Sequence, residues 1–138
     1  MIKIMKHFVI MAFTLLVFTG CNTDQAKVTQ EDVFSYKNSY VGDNGAVGSI
    51  TKALPSPAGE HVSSLELQTK VLPYGLILNY EHTDSAEMVE INYEETGLFN
   101  ATYLFCLIQN VEWVQFNFAE KQIRVNREEL QKWYGKDL

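Results

Sequence analysis

Four short segments of the chain alternate apolar and polar residues with a period of two. They are residues 65–71, 76–80, 114–118 and 123–125. In a β-strand, successive side chains point to opposite faces, so this alternation predicts strands with one buried face and one face toward water. The pattern constrains the fold more than any other feature, because a helix of period 3.6 would scatter these apolar residues around its axis.

Turn residues join the four segments in pairs. Pro73-Tyr74-Gly75 separates the first pair, and Ala119-Glu120-Lys121 separates the second. Short turns between alternating segments are typical of β-hairpins. We therefore predict an α+β fold in which two β-hairpins form one antiparallel sheet packed against helices.

The first helix is predicted before the first hairpin. Val47 and Ile50 share one helical face, and the preceding Asp43 or Asn44 can cap the free amides at the start of that helix. Pro55 ends it, because proline restricts the residue before it and donates no amide hydrogen bond.

Two further helices are predicted around the second hairpin. Residues 98–110 are rich in Leu, Ile, Phe and Ala, whereas residues 83–96 fit a strand as well as a helix. We expect one helix over both, broken at Gly97. The last helix follows Asn126, a possible N-cap, and ends at Gly135. Its expected apolar face consists of Leu130, Trp133 and Tyr134.

The N-terminal stretch is predicted to be a lipoprotein signal peptide. Lys3 and Lys6 precede an apolar run that is short for a spanning helix of about 20 residues. The run closes on Gly20-Cys21, which resembles the junction where bacterial lipoproteins are cleaved and the new N-terminal cysteine is acylated, as with palmitate. An ordinary secretory signal and a retained membrane helix are the alternatives.

This interpretation divides the chain into three parts. Residues 1–20 form the lipoprotein signal peptide, residues 21–30 form a polar tether, and residues 31–138 form a single α+β domain. Lipidation at Cys21 predicts a protein held at the extracytoplasmic face of the cell membrane, because several acyl chains anchor a protein far better than one. The tether keeps the domain within roughly 15–20 Å of the anchor.

Charge limits the partners that the chain can bind. Its formal net charge is −6, and loss of Lys3 and Lys6 with the leader makes the mature chain more negative. Such a balance repels phosphate groups, so it disfavours nucleic acid and electrostatic docking on anionic lipid. The expected partners are the membrane, through the lipid anchor on Cys21, and an envelope protein or ligand.

Side chains suited to catalysis or metal binding are scattered. Glu81, His82, Asp84 and Glu87 are the densest polar group, but a solvated turn explains them better than a calcium loop, whose acids are more regular. Cys106 lies in an apolar run and is expected to be a small buried hydrophobe. We predict no catalytic residue, no metal site and no cofactor.

Three aromatic residues are candidates for partner binding. Tyr36 and Tyr40 lie beside a glycine-containing turn, where tyrosines make recognition surfaces at low entropy cost. The alternative is that both rings cover the sheet. Trp113 points away from Val114 on a regular strand, so either a second helix covers it or it is exposed for a partner.

Several short blocks of the sequence resemble an uncharacterised domain family. The blocks include Tyr40-Val41-Gly42-Asp43-Asn44, Leu65-Glu66-Leu67-Gln68-Thr69, Pro73-Tyr74-Gly75-Leu76 and Arg127-Glu128-Glu129-Leu130. The resemblance covers most of residues 32–138. It implies an extracytoplasmic domain of small Gram-positive lipoproteins, also found beside sensor peptidases of the β-lactam-responsive type. It implies no activity and no catalytic residues.

The sequence leaves two functions open. The favoured one is a non-enzymatic binding or sensory accessory domain of unknown ligand in the cell envelope. The alternative is a small cell-envelope hydrolase that uses carboxylates such as Glu81 and Asp84, since paired carboxylates suffice for glycosidic cleavage. The two remaining histidines of the mature chain, His61 and His82, lie in predicted loops and suggest no catalytic pairing.

The lipidation prediction is tested by replacing Cys21 with Ser. Without the thiol no acyl chain can be attached, so fractionation of bacterial cells should find the protein released or left as the unprocessed precursor. Unchanged cleavage and unchanged retention in the membrane fraction would refute lipidation at this residue.

Overall fold

The computed structural model describes residues 32–83 and 92–138. The predicted signal peptide, the lipidated Cys21 and the tether at 21–30 lie outside the described residues, as do Asp84 and Glu87. None of the helices within the described residues has the length and apolar character needed to cross a membrane.

The described chain alternates helices with pairs of strands. A 3-10 helix opens it at Asp32–Tyr36. The α-helices are α1 at Asn44–Ala53, α2 at Tyr93–Leu107 and α3 at Arg127–Tyr134. The strands are β1 at Glu60–Gln68, β2 at Gly75–His82, β3 at Trp113–Asn117 and β4 at Gln122–Asn126.

The four strands form one mixed sheet in the order β1-β2-β3-β4. The pairs β1–β2 and β3–β4 are antiparallel, but β2 and β3 run parallel, with Gly75 opposite Trp113 and Asn79 opposite Asn117. The predicted purely antiparallel sheet is therefore wrong, although the α+β class holds. Helix α2 is the reason, because it returns the chain across the sheet before β3 begins and so gives β3 the direction of β2.

Helix α2 is continuous, so the predicted break at Gly97 is also wrong. Its start is capped by Asn92, whose side-chain oxygen accepts a hydrogen bond from the Glu95 amide at 3.1 Å. Gly97 lies buried on the side of the helix that faces Phe116 and Ile123. Gly97 therefore lies where the helix packs closely on the sheet, and it does not mark a helix end.

The other two α-helices begin and end near the predicted positions. Asp43 caps α1 by accepting a hydrogen bond from the Ala46 amide at 3.0 Å, and Pro55 follows soon after the helix. Gly135 ends α3 in the left-handed conformation, with φ of 69°. The predicted apolar face of α3 is wrong in part: Leu130 is buried, but Trp133 is 72% exposed and Tyr134 is 41% exposed.

The hydrophobic core lies between one face of the sheet and the helices. Residues of β2 and β3 that point inward are fully buried, as are the facing residues of α1 and α2. The largest of them are Leu76, Leu78, Phe116, Ile50, Leu104, Phe105 and Leu107. Cys106, predicted to be buried, instead points outward from α2 and is exposed.

A buried arginine fastens the helices to the sheet. The Arg127 guanidinium donates to the carbonyl oxygens of Ile108 at 2.6 Å, Val111 at 2.8 Å and Leu138 at 2.8 Å. Burial lowers the pKa of Arg127, whereas the negative charge of Glu112 acts in the opposite direction. Because carbonyl groups at a helix C-terminus carry partial negative charge, this cation stabilises the end of α2 where the chain turns into β3.

Continuity of α2 predicts that Gly97→Ala stabilises the protein. A Cβ atom at residue 97 would lie 3.6 Å from Ile123 Cγ2 and 3.7 Å from Phe116 Cδ2, which is ordinary contact. Alanine is better than glycine inside a helix by about 0.5–1 kcal/mol. Urea denaturation of the full chain should therefore show a free energy of unfolding higher by about that amount.

The matched control for this change is Gly135→Ala. The same methyl group is added there to a residue with positive φ, a conformation that costs an L-residue roughly 1 kcal/mol, so the control should be destabilised. A larger loss of stability in Gly97→Ala than in Gly135→Ala would contradict a continuous α2.

Candidate functional site

The face of the sheet that points away from the helices carries a regular grid of side chains, here called the outer sheet face. The strand registers and the alternation of burial define its members. They are Ser64, Glu66 and Gln68 of β1; Gly75, Ile77 and Asn79 of β2; Trp113, Gln115 and Asn117 of β3; and Gln122, Arg124 and Asn126 of β4. All of them except Gly75 are exposed or half-buried.

Trp113 is held rigidly on this face. Its ring lies directly on Gly75, where an added Cβ would be only 2.0 Å from Trp113 Cε2. Its Nε1 donates a hydrogen bond to the Pro73 carbonyl oxygen at 2.9 Å, and the Arg124 guanidinium carbon lies 3.9 Å from the ring centroid. Such a cation over a ring gains electrostatic attraction. The pair therefore forms a pre-ordered aromatic and cationic corner.

Polar side chains extend from this corner across the sheet as an amide ladder. Gln115 Nε2 donates to Asn117 Oδ1 at 3.0 Å, and Asn117 Nδ2 donates to Asn79 Oδ1 at 2.7 Å. Asn79 Nδ2 then donates to Ser64 Oγ at 2.9 Å and to Glu66 Oε1 at 3.1 Å. Each amide oxygen has two lone pairs, so these bonds leave acceptor capacity directed toward solvent.

Tyr36 and Tyr40 lie on a different part of the molecule. Their segment is fastened to the end of α2, where Ser39 pairs with Ile108 and the Val41 amide donates to Asn110 Oδ1 at 2.7 Å. Tyr40 is 57% exposed, and Tyr36 is half-buried against the core. The three candidate aromatic residues therefore do not form one site, because Trp113 is on the outer sheet face and the tyrosines are on the helical side.

The polar group predicted around Glu81 is described only in part. Glu81 and His82 are exposed at the end of β2, whereas Asp84 and Glu87 lie outside the described residues. Among residues 32–83 and 92–138, no three His, Cys, Asp or Glu side chains are grouped so as to hold a metal ion.

Nothing in the sequence indicated that the carboxylate of Glu60 would be buried. Glu60, which is 5% exposed, accepts a hydrogen bond from Tyr93 Oη at 2.6 Å and from the Ala119 amide at 3.1 Å. Burial is the main cause that raises the pKa of Tyr93 to about 12, and the interaction with Glu60 raises this pKa further. Burial likewise raises the pKa of Tyr80 to about 12. The cluster fastens the start of β1 to the start of α2, which is a structural role.

A second exposed surface lies on the helical side and was also missed. We call it the helical aromatic surface, and it comprises Phe34, Leu98, Phe99, Tyr103, Trp133 and Tyr134. Ring contacts join Phe34 to Tyr103 at 6.0 Å and Phe99 to Tyr103 at 4.9 Å between centroids. The sequence does indicate an exposed apolar surface here. Residues 98–105 carry apolar side chains on more than one side of α2, and a single core cannot bury all of them.

The helical aromatic surface continues onto α3. Trp133 and Tyr134 contact each other edge to face, with centroids 4.8 Å apart. The Tyr134 hydroxyl lies 3.2 Å from Thr102 Oγ1 on α2, and Leu98 and Trp133 line one groove of about 320 Å³. Glu94, Glu129 and Arg124 line the same groove, so the apolar surface of the two helices is bordered by charged side chains as well as by hydroxyl and indole groups.

Comparison with known proteins gives one finding. The model of a family described as a domain of unknown function (DUF4825) matches residues 33–129. This confirms the expected resemblance to an uncharacterised domain family, while the lipoprotein context and the association with sensor peptidases stay predictions. Searches of curated proteins and of solved structures found no match.

Proposed function

This chain belongs to the family described as a domain of unknown function (DUF4825), and we propose that it is a membrane-anchored extracytoplasmic lipoprotein with a non-enzymatic binding or sensory accessory role. Cys21 would carry the anchor. Its binding partner would be another envelope protein or a ligand near the membrane. The resemblance implies copies of the domain beside sensor peptidases of the β-lactam-responsive type, which favours an accessory domain that acts through contact.

The observation that carries this proposal is the fixed Trp113–Arg124 pair on the outer sheet face. Tryptophan and arginine are enriched among the few residues that dominate binding energy at interfaces. The contact with Gly75 and the hydrogen bond to the Pro73 carbonyl oxygen already restrict the orientation of the Trp113 ring. A partner therefore pays little of the side-chain entropy that ordering a mobile tryptophan costs on binding.

The chemistry of the outer sheet face also limits what it recognises. The Trp113 ring is half-buried with Gly75 and Arg124 against it, so this corner offers an exposed cation stacked on part of an indole ring. The amide ladder offers hydrogen-bond acceptors. This combination suits a polar protein surface or peptide that places a carboxylate against Arg124 and amide donors over Asn79 and Asn117. It does not suit a nucleic acid, since the net charge of −6 repels phosphates.

The carboxylate hydrolase gains no support from the described residues. Glycosidic cleavage by paired carboxylates requires two of them held about 5–10 Å apart around the scissile bond. Glu81 is exposed at the end of β2, and Asp84, its partner in that hypothesis, lies outside the described residues. We therefore propose binding and not hydrolysis.

Site-specific crosslinking in living cells tests the binding proposal. A photoreactive residue at Gln115, in the middle of the outer sheet face, should capture a specific partner. Trp113→Ala and Arg124→Ala should each weaken that capture about thirtyfold, since loss of a dominant interface residue costs about 2 kcal/mol or more. Tyr40→Ala, which removes an exposed aromatic ring outside both surfaces, is the matched control and should leave capture unchanged.

Two results would contradict the proposal. One is a partner captured at Gln115 whose yield is the same in Trp113→Ala and Arg124→Ala as in the unaltered chain. The other is a partner whose capture depends on Tyr40 alone. Thermal unfolding of each purified variant shows whether it is folded, and Trp113→Phe and Arg124→Lys serve as milder changes if an alanine variant unfolds.

A further inference from the structure

We propose that the helical aromatic surface rests in the interfacial layer of the lipid bilayer. The inference builds on the proposed lipid anchor at Cys21 and adds an orientation to it. In that orientation, α2 and α3 face the lipid, and the outer sheet face with Trp113 points away from it.

The residue types of this surface are those that favour a membrane interface. Tryptophan and tyrosine concentrate at the level of the headgroups, where an apolar ring and a polar tip are both satisfied. Trp133 and Tyr134 of α3 and Tyr103 of α2 have this character. Phe34, Leu98 and Phe99 add apolar area, and each is at least 40% exposed. A cluster of exposed apolar residues of this kind often marks an interaction surface.

The position of the chain start favours lipid as the occupant. The described chain begins at Asp32, in the same 3-10 helix as Phe34, so the segment leading back to Cys21 attaches beside this surface. The tether predicted at residues 21–30 would place the anchor within roughly 15–20 Å. Even full extension gives a reach of no more than about 40 Å. An anchor at that point brings the helical aromatic surface, rather than the outer sheet face, toward the bilayer.

Charged groups of both signs lie at the margin of the helical aromatic surface. Lys37 and Lys136 line a groove with Phe34 and Tyr134, where ammonium groups reach the level of lipid phosphates. Asp137 lines the same groove, Glu94 and Glu129 line the groove of Leu98 and Trp133 together with Arg124, and the chain as a whole is negative. Apolar insertion of the rings, and not overall charge, must therefore provide the contact, as it does for interfacial amphipathic helices.

The two tryptophans allow a direct test, because the chain contains only Trp113 and Trp133. The full chain is processed in bacteria, purified from membranes and reconstituted in vesicles of phosphatidylglycerol and phosphatidylethanolamine whose acyl chains carry bromine, a fluorescence quencher. In Trp113→Phe, only Trp133 emits. Because an interfacial apolar face lies about 5–10 Å into the headgroup and acyl boundary, we expect its emission to fall about twofold or more.

The matched control is Trp133→Phe, in which only Trp113 emits. Its emission should be unaffected by the brominated lipid, because Trp113 lies on the outer sheet face. In the unaltered chain labelled with 5-fluorotryptophan, spin-labelled lipid should broaden one of the two fluorine signals. Either variant assigns that signal, so the test survives if one variant does not fold.

The outcomes separate the orientation from the anchor. Chain that does not float with the vesicles contradicts both lipidation and docking. Chain that floats but shows no quenching of Trp133, or equal quenching of both tryptophans, contradicts the docking alone. Trp133 shielded from an aqueous quencher but not quenched by brominated lipid would mean that a protein covers the surface, which also overturns the inference.

Discussion

The parallel pairing of β2 with β3 determines which surfaces of this domain remain in contact with water. Parallel neighbours need a crossover connection, and α2 provides it on one side of the sheet. The core then forms on that side, and the outer sheet face stays open. The same register sets Trp113 against Gly75, so a single pairing builds the fold and places the tryptophan on the proposed binding surface.

Two buried polar contacts hold this arrangement at opposite ends. Arg127 binds carbonyl oxygens where α2 ends and β3 is about to begin, and Glu60 accepts hydrogen bonds from Tyr93 at the start of α2 and from Ala119 after β3. Buried charges are costly unless they are hydrogen-bonded. Both groups satisfy this condition by joining elements that are distant in sequence. They orient the crossover helix, and therefore its exposed aromatic side, relative to the sheet.

Local features of the fold could be predicted from the sequence, whereas relations between distant segments could not. Alternation located all four strands, although β1 begins five residues before the predicted segment 65–71 and ends at Gln68. Asp43 and Gly135 marked helix ends. Each of these signals lies within a few residues. The parallel β2–β3 pair, the seat of Trp113 on Gly75 and the burial of Glu60 depend on the register of segments far apart in the chain. Trp133 and Tyr134 have the spacing of a buried face, and only the packed structure shows that α3 turns them outward.

The parallel register is the central claim, and nuclear Overhauser effects in the isotopically labelled full chain measure it directly. Adjacent strands lie about 4.8 Å apart, so protons of paired residues are close enough to give detectable cross-strand signals. The parallel arrangement predicts signals between Gly75 and Trp113 and between Asn79 and Asn117. An antiparallel arrangement centred on the same residues would instead join Gly75 to Asn117 and Asn79 to Trp113, and that result would contradict the fold and both surfaces derived from it.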